Sequence, residues 1–264
     1  MCVPRTDKTL GHELCQWSIL TDAWLQVATA GTAAWWTVLE RFAAEDRGCD
    51  SAVGCLLGLT LGDAVGAPLE FCAAAWAVDP SPLEGFEDDR RPCVAAKLRE
   101  GQLHYKNVRN KFELKLGQWT DDASMALCLA DSLLTCGKYD GGDARLRWHM
   151  WWFHGYCNAF RYDMERRKGQ TPGTSVGLGS NVAKSFVEIE RSVQLAHAQD
   201  RLPKGTSHAT VVPPVHQSDS NDAGNGSIMR LAPVPIAYHL CPAQAARHSH
   251  KTTNLQNLCG IKIL

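Results

Sequence analysis

The sequence has almost no excess of charge of either sign. Its 264 residues include 27 Lys and Arg against 28 Asp and Glu, which gives a formal net charge of −1. A general nucleic-acid binder carries a strong positive excess, and a disordered chain has more net charge and fewer apolar residues than the 45% found here. The composition therefore predicts a folded protein without a nucleic-acid partner. At about 100 to 200 residues per domain, the length fits one large domain or two small ones.

The cysteines lack the spacing of a metal site or of a disulfide framework. There are 11 of them, an odd number, and no two form a C-x-x-C pair. Cys55, Cys128 and Cys157 lie in apolar stretches, where we expect cysteine to act as a small buried apolar residue. Unpaired thiols are typical of reducing compartments, so we expect a cytoplasmic protein.

A targeting or membrane-spanning segment is also missing from the sequence pattern. The N-terminal residues lack the basic, apolar and small-residue regions of a signal peptide. The uncharged stretch 23–39 contains polar residues and is shorter than the roughly 20 mainly apolar residues of a membrane helix. We therefore expect no membrane partner. The sequence leaves the oligomeric state open.

Strand-like alternation is scarce, whereas helical periodicity recurs along the chain. Apolar residues three and four positions apart predict helices over 120–134, 142–160 and 174–197. The intervals 79–117 and 202–226 are charged, polar or rich in Pro and Gly, and are predicted to be loops. The predicted fold class is therefore all-α.

The first 50 residues differ from the rest of the chain. They are rich in Trp and carry no chemical motif; helical character over 33–42 is predicted to end at Asp46-Arg47-Gly48. From Ser51 onward an apolar segment punctuated by glycines begins. We divide the chain into an N-terminal extension of unknown role, 1–50, and a main domain, 51–264.

Glycines recur at every fourth position at the start of the main domain. Gly54, Gly58, Gly62 and Gly66, the glycine stripe, fall close to one face of a helix, where each costs about 1 kcal/mol relative to Ala. Such a stripe predicts a close approach, either by another helix backbone or by a ligand. Asp63 interrupts the apolar run, which argues against dimerisation within a membrane.

A hydroxyl and two carboxylates stand together where the next predicted helix begins. Thr120, Asp121 and Asp122 offer three oxygen ligands of the kind that Mg²⁺ prefers. The same residues suit a plain helix start, because Thr is a good N-cap and Asp in the first turn interacts favourably with the helix dipole. Both interpretations stay open. Three oxygens fill only part of an octahedral shell, so further ligands would come from elsewhere in the chain or from water.

The third motif runs from Ser220 to Arg230 and includes Gly224-Asn225-Gly226-Ser227. Glycine and asparagine adopt positive φ angles readily, so successive N–H groups could form a nest that binds an anion. The residues after Gly226 are predicted to be helical, which would direct a helix N-terminus at the same anion. A plain turn without a ligand is the alternative.

Together and in this order, these motifs resemble the ADP-ribosylglycohydrolase family of the dinitrogenase-reductase-activating type. The matching blocks are 62–70, 120–127 and 224–230, and 247–250 is similar to a short motif that follows them. The resemblance implies an all-α orthogonal helical bundle with a site for two metal ions, usually Mg²⁺. It also implies hydrolysis of the bond that links ADP-ribose to a modified protein side chain or to a small molecule.

The family resemblance assigns roles to residues of this sequence. The residues that it would make metal ligands are Thr120, Asp121 and Asp122. Those with a catalytic role would be Glu70, on a flap beside the reacting ribose, together with Asp121 and Asp122. The residues that would contact the ADP-ribose are Asn225, Gly226, Ser227 and, near the nucleotide, His250.

The sequence departs from the family pattern in its last part. The family has an Asp-x-Asp-Thr block that supplies the remaining metal ligands, and here no acidic residue follows Asp222. We therefore expect a bundle that is incomplete at the C-terminus, and a second metal site that lacks its usual ligands. Two functions stay open: a Mg²⁺-dependent hydrolase whose missing ligands come from a longer product or another chain, or a non-catalytic relative that binds ADP-ribose or is structural.

Overall fold

The computed structural model describes residues 37, 40–67, 95–99, 102–106, 112–115, 117–160, 175–203, 205–217 and 224–253. The α-helices within these residues are α1 Arg47–Gly66, α2 Asp121–Cys136, α3 Gly141–His154, α4 Ser180–Ala198, α5 Pro233–Ala237 and α6 Pro242–Thr253. The all-α class is confirmed. One antiparallel hairpin, β1 Ala95–Arg99 paired with β2 Gln102–Lys106, lies in the interval that was predicted to be a loop.

The predicted helices of the central region are present with shifted ends. The prediction 120–134 corresponds to α2, 142–160 to α3 and 174–197 to α4. Helix α3 ends earlier than predicted because Gly155 adopts a φ of 71° and its N–H bonds to carbonyl groups of the preceding turn. This left-handed C-cap stops the helix although the apolar pattern continues beyond it.

Helix α1 begins where the sequence predicted a helix to end. Asp46 is extended, with a φ of −160°, and its side chain accepts a hydrogen bond from the Cys49 N–H at 2.8 Å. Aspartate is a favoured N-cap because its carboxylate satisfies an N–H group that has no partner inside the helix. The segment Asp46-Arg47-Gly48 therefore starts α1 at Arg47, four residues before the glycine-punctuated apolar segment that begins at Ser51.

The core is formed by apolar faces of α2, α3 and α4. Its large buried members include Met125, Leu129, Leu146, Trp148, Trp151, Phe186 and Ile189. The indole N–H of Trp148 donates to the Met125 carbonyl at 2.9 Å, which satisfies the polar atom of a buried ring. Cys128 lies in the same core, as expected. These contacts hold α2 and α3 together and so fix the position of the Thr-Asp-Asp segment at the start of α2.

Helix α3 also buries charged side chains that the apolar pattern did not reveal. Arg147 pairs with Asp143 at 2.6 Å and with the fully buried Asp131, whose carboxylate also accepts the Tyr156 hydroxyl. Arg145 is likewise fully buried. A buried charge is tolerated only when it is paired and hydrogen-bonded, so these contacts are part of the fold.

The glycine stripe of α1 is not closely approached within the described residues. A Cβ added at any of its four positions would meet no described atom within 4 Å. Helix α1 contacts α2 through Asp63 instead, whereas Leu61 and Val65 are exposed. The expected close approach to the stripe therefore has no partner in the described part of the chain and stays a prediction, whereas Cys55, expected to be buried, is exposed on the same helix.

One helix in the described part of the chain, α1, is long and apolar enough to cross a membrane by length and composition alone. Core helices of soluble proteins and signal sequences meet the same criterion. Near its C-terminal end, the carboxylate of Asp63 accepts hydrogen bonds from the start of α2. That end of α1 is therefore joined to the helical core.

Glycine at the start of α3 allows the segment 207–215 to lie directly on the helix. A Cβ at Gly141 would stand 2.1 Å from the carbonyl oxygen of Pro214. We expect Gly141→Ala to lower the free energy of unfolding by about 1–3 kcal/mol, because the backbone has to move apart. Gly54→Ala, on exposed α1, is the matched control and should raise it by about 0.5–1 kcal/mol. Urea denaturation measures both changes; a Gly141→Ala protein as stable as the parent would contradict the close contact.

Candidate active site

A carboxylate from α1 caps the start of α2. The Asp63 Oδ1 atom accepts the Thr120 hydroxyl at 2.7 Å and the Thr120 N–H at 3.0 Å, while Oδ2 accepts the Ala123 N–H at 2.8 Å. The first N–H groups of a helix have no partner inside it and need such acceptors. Thr120, the predicted N-cap, makes no side-chain cap hydrogen bond of its own. Asp63 performs that role from another helix.

Packing on either side of Asp63 and Thr120 keeps the two helices in register. Ala67, just after α1, packs with Leu114 and Phe160 in a small buried cluster. The indole N–H of Trp119, next to Thr120, donates to the Cys157 carbonyl at 3.3 Å. The site is therefore supported by a small separate cluster around Ala67 and by a contact of Trp119 with Cys157, which packs against the main core.

Asp121 is buried against a glycine. Gly177 has a φ of +91°, and a Cβ placed on it would stand 2.1 Å from Asp121 Oδ1. Positive φ favours glycine, and the missing side chain makes room for the carboxylate. Gly177 therefore fixes the position of Asp121. Sequence reasoning missed this residue, because 174–197 was predicted to be a helix and the helix in fact begins at Ser180.

The carboxyl group of Asp122 is partly buried and lies near that of Asp63. Burial, and then the negative charge of Asp63, raise the pKa of Asp122 to about 6. Both effects disfavour the ionised form. The start of α2 is thus a place where negative charge is crowded, and a cation there would be stabilised.

A buried guanidinium brings positive charge to the same region. Arg230 is 1% exposed and lies over the ring of Trp148, 3.9 Å from the ring centroid. Burial lowers its pKa to about 9, and the negative charge of Asp121 acts in the opposite direction. The sequence motif included Arg230, but no role was predicted for it. Its charge partly balances Asp121 from inside the fold.

The segment around Asn225 differs from its prediction. Asn225–Ser227 forms one turn of 3-10 helix, and positive φ angles are absent at 224–227. The residues after it form a turn, and the next α-helix, α5, is only five residues long and begins at Pro233. Residues 224–227 therefore do not form the predicted nest, and no long helix follows them directly; the rest of the predicted motif, 220–223, lies outside the described residues. Proline, which fixes φ and is favoured at a first helical position, explains the late start.

The residues predicted to contact ADP-ribose differ in exposure. Asn225 is exposed, whereas Gly226 and Ser227 are buried. The Ser227 hydroxyl has no hydrogen-bond partner within the described residues. His250 lies in α6, and its side chain is outside the described part, as is all of Glu70. The roles of these residues stay predictions.

His248, which belongs with His250 to the short motif 247–250, connects α6 to the core region. His248 stacks on Tyr238 with the ring centroids 4.6 Å apart, and its centroid lies 5.3 Å from that of Tyr139. The Tyr139 N–H in turn donates to the Tyr238 hydroxyl at 2.7 Å. These contacts join α6 to the connection between α2 and α3.

A family model described as ADP-ribosylglycohydrolase matches residues 44–259. The chain belongs to the ADP-ribosylglycohydrolase family. It is 30% identical over 191 residues to the ADP-ribosylarginine hydrolase Tri1 of Pseudomonas putida (strain GB-1), which covers 72% of this chain and 37% of that protein. A protein of the same name from Serratia proteamaculans (strain 568) is 34% identical over 113 residues, covering 42% and 24% respectively. The chain thus spans little more than a third of the first relative.

The oxygen atoms at the start of α2 fit a hard divalent cation in part. Thr120, Asp121 and Asp122 offer oxygen atoms, the ligand type of Mg²⁺. Burial, and then the negative charge of Asp63, raise the pKa of Asp122, and a cation would relieve both effects. No group of three or more His, Cys, Asp or Glu side chains within the described ranges is arranged to hold a metal. The remaining ligands would be water or residues outside those ranges.

The crowded carboxylate should make stability depend on pH. The folded-state pKa of Asp122, about 6, exceeds its ordinary value of 3.8. The stability that the protonated Asp122 side chain contributes is therefore fully present below about pH 4 and is lost as the pH rises through about 6. We expect Asp122→Asn to exceed the parent in stability by about 1–2 kcal/mol at about pH 7.5, and to match it near pH 4. Urea unfolding in the presence of a chelator measures this; equal stability at both pH values would contradict the unfavourable burial.

Proposed function

We propose that this chain is a Mg²⁺-dependent hydrolase that releases ADP-ribose from modified arginine side chains. The observation that carries the proposal is the placing of Thr120, Asp121 and Asp122 side by side at the start of α2 by contacts with Asp63 and Gly177. The relatives' name, ADP-ribosylarginine hydrolase, supports arginine as the acceptor. Family membership supports the glycosidic bond as the one that is broken.

The chemistry of the reaction explains the residue types. Cleavage at the anomeric carbon of ribose builds positive charge on the sugar, and nearby carboxylates stabilise that charge. Thr120, Asp121 and Asp122 would hold Mg²⁺, which when bound orients ribose hydroxyls and lowers the pKa of a water. Glu70, which lies outside the described residues, is proposed as the carboxylate beside the reacting ribose.

The ADP-ribose itself would be bound by the segment around Asn225. The Ser227 hydroxyl is buried and has no partner within the described residues, so a polar group of a ligand would satisfy it. The exposed Asn225 side chain would meet the ligand from the solvent side. His250 is proposed to lie near the nucleotide. The partner is an ADP-ribosylated cytoplasmic protein.

Incubation of the full chain with an arginine-ADP-ribosylated protein tests this function. We expect release of free ADP-ribose with Mg²⁺, its loss with a chelator, and little release from a serine-linked substrate. Absence of release with Mg²⁺ present would overturn the proposal.

A second candidate function is binding of ADP-ribose without hydrolysis. It is favoured by the lack, within the described residues, of three or more His, Cys, Asp or Glu side chains gathered to hold a metal. Calorimetric titration with ADP-ribose separates the two candidates. Binding without release of ADP-ribose from any modified protein would favour this second function.

A further inference from the structure

We infer that Asp63 is a positioning residue that turns Thr120 from a helix cap into an oxygen ligand. The inference rests on the proposed metal-dependent function. Its basis is the set of hydrogen bonds between the end of α1 and the start of α2, which joins residues 57 and 60 positions apart in the chain.

Threonine at an N-cap ordinarily uses its side-chain oxygen to accept an N–H from the first turn. That N–H belongs to the second or third helical residue. In α2 the third residue is Ala123, and its N–H goes to Asp63 Oδ2 at 2.8 Å. The hydroxyl oxygen of Thr120 is thereby released from capping, although Thr120 stands at the N-cap position with a non-helical φ of −110° and ψ of −136°.

The same carboxylate fixes the direction of the Thr120 hydroxyl. Thr120 Oγ1 donates its proton to Asp63 Oδ1 at 2.7 Å, so the lone pairs of the oxygen point away from Asp63. A hydrogen bond from a ligand to a carboxylate orients that ligand and makes its donor atom more basic. Asp63 therefore presents a preorganised oxygen beside the carboxylates of Asp121 and Asp122.

Both carboxylate oxygens of Asp63 accept hydrogen bonds from the start of α2, as this supporting role requires. Its two oxygens accept hydrogen bonds from the Thr120 N–H, the Thr120 hydroxyl and the Ala123 N–H. Hydrogen bonds of this kind to a charged acceptor are stronger than those between neutral groups. The carboxylate is thus directed towards the backbone and side chain of α2, and its effect on a cation passes through Thr120.

A double-mutant cycle on Mn²⁺ binding tests this coupling. The full-length parent, Asp63→Asn, Thr120→Val and the double variant are titrated with Mn²⁺, and the free ion is measured by electron paramagnetic resonance. Loss of a residue that orients a metal ligand typically lowers affinity about 10- to 100-fold, and we expect this of each single variant. In the double variant, Asp63→Asn should cause no loss of Mn²⁺ affinity beyond that of Thr120→Val, because the influence of Asp63 acts through the Thr120 hydroxyl.

Two further variants separate geometry from charge and from folding. Asp63→Glu keeps the charge but moves the carboxylate, so we expect it to lose Mn²⁺ affinity as Asp63→Asn does. It also takes the place of Asp63→Asn in the cycle if that variant does not fold. Asp50→Asn, at an exposed position in the first turn of the same helix, is the matched control and should bind Mn²⁺ like the parent. Circular dichroism checks the helical content of each protein.

Each outcome of the cycle supports or contradicts the positioning role of Asp63. Parental affinity in Asp63→Asn, or additive losses in the double variant, would overturn the positioning role and favour an independent effect of the Asp63 charge. A parent that does not bind Mn²⁺ would overturn the metal-dependent function and this role together. Coupled losses in a chain that releases no ADP-ribose would contradict only the proposed hydrolysis.

Discussion

Asp121→Asn should lower kcat/KM for release of ADP-ribose from modified arginine by about 10²- to 10³-fold. The carboxylate is one of the proposed metal ligands, and the bound ion is worth several kcal/mol of transition-state stabilisation, of which each 1.36 kcal/mol corresponds to a factor of ten. Asparagine has nearly the same size, so packing against Gly177 is kept and the loss reports the charge. The measurement is the steady-state rate of ADP-ribose release at saturating Mg²⁺.

The matched control for this result is Asp200→Asn. Asp200 is exposed and has a φ of 51°, a conformation that asparagine tolerates, so we expect activity within about twofold of the parent. Retention of full activity in Asp121→Asn would leave the plain helix-start interpretation of the Thr-Asp-Asp segment standing. Loss of activity in both variants would indicate a general effect of charge.

The largest change in stability is expected from Asp131→Ala. Asp131 and Arg147 are 0% and 3% exposed. Removal of the carboxylate leaves a buried guanidinium with one fewer counter-charge and takes one acceptor from the partly buried Tyr156 hydroxyl. Breaking a buried ion pair in this way costs about 3–5 kcal/mol. Urea denaturation with linear extrapolation measures the loss.

A double replacement distinguishes the burial of charge from the loss of packing. Asp131→Leu combined with Arg147→Met replaces the pair with apolar side chains of similar volume, which is often neutral or stabilising. We expect this double variant to be more stable than Asp131→Ala alone. An Asp131→Ala protein within about 1 kcal/mol of the parent would contradict the close pairing of Arg147 with Asp131.

Local periodicity was sufficient to predict the central helices. Helices α2, α3 and α4 have apolar residues three and four positions apart, and this spacing depends on neighbours within one or two turns. The ends were less accurate, because they depend on caps. Asp46 was assigned to the end of a helix although its side chain starts one, and Gly155 stopped α3 within an apolar stretch.

The buried charges could not be predicted in the same way. Arg145 and Arg147 resemble surface residues of an amphipathic helix, yet both are buried by partners that lie far away in the sequence. Arg145 bonds to Ser185 and pairs with Glu188 on α4 at 2.5 Å, and Arg147 pairs with Asp131 on α2. A helical pattern indicates which residues share a face but not which distant residues meet them.

The sequence by itself determined the helical class, the family and the position of the Thr-Asp-Asp segment at the start of a helix, because these depend on residue type and spacing. Its small net charge indicated nothing about where the individual charges lie. Only the tertiary structure shows that the Thr120 side chain does not cap α2, because Asp63, 57 residues earlier in the chain, accepts the Thr120 hydroxyl. The position of Asp121 likewise depends on Gly177, because the space for a carboxylate exists only where two distant segments meet.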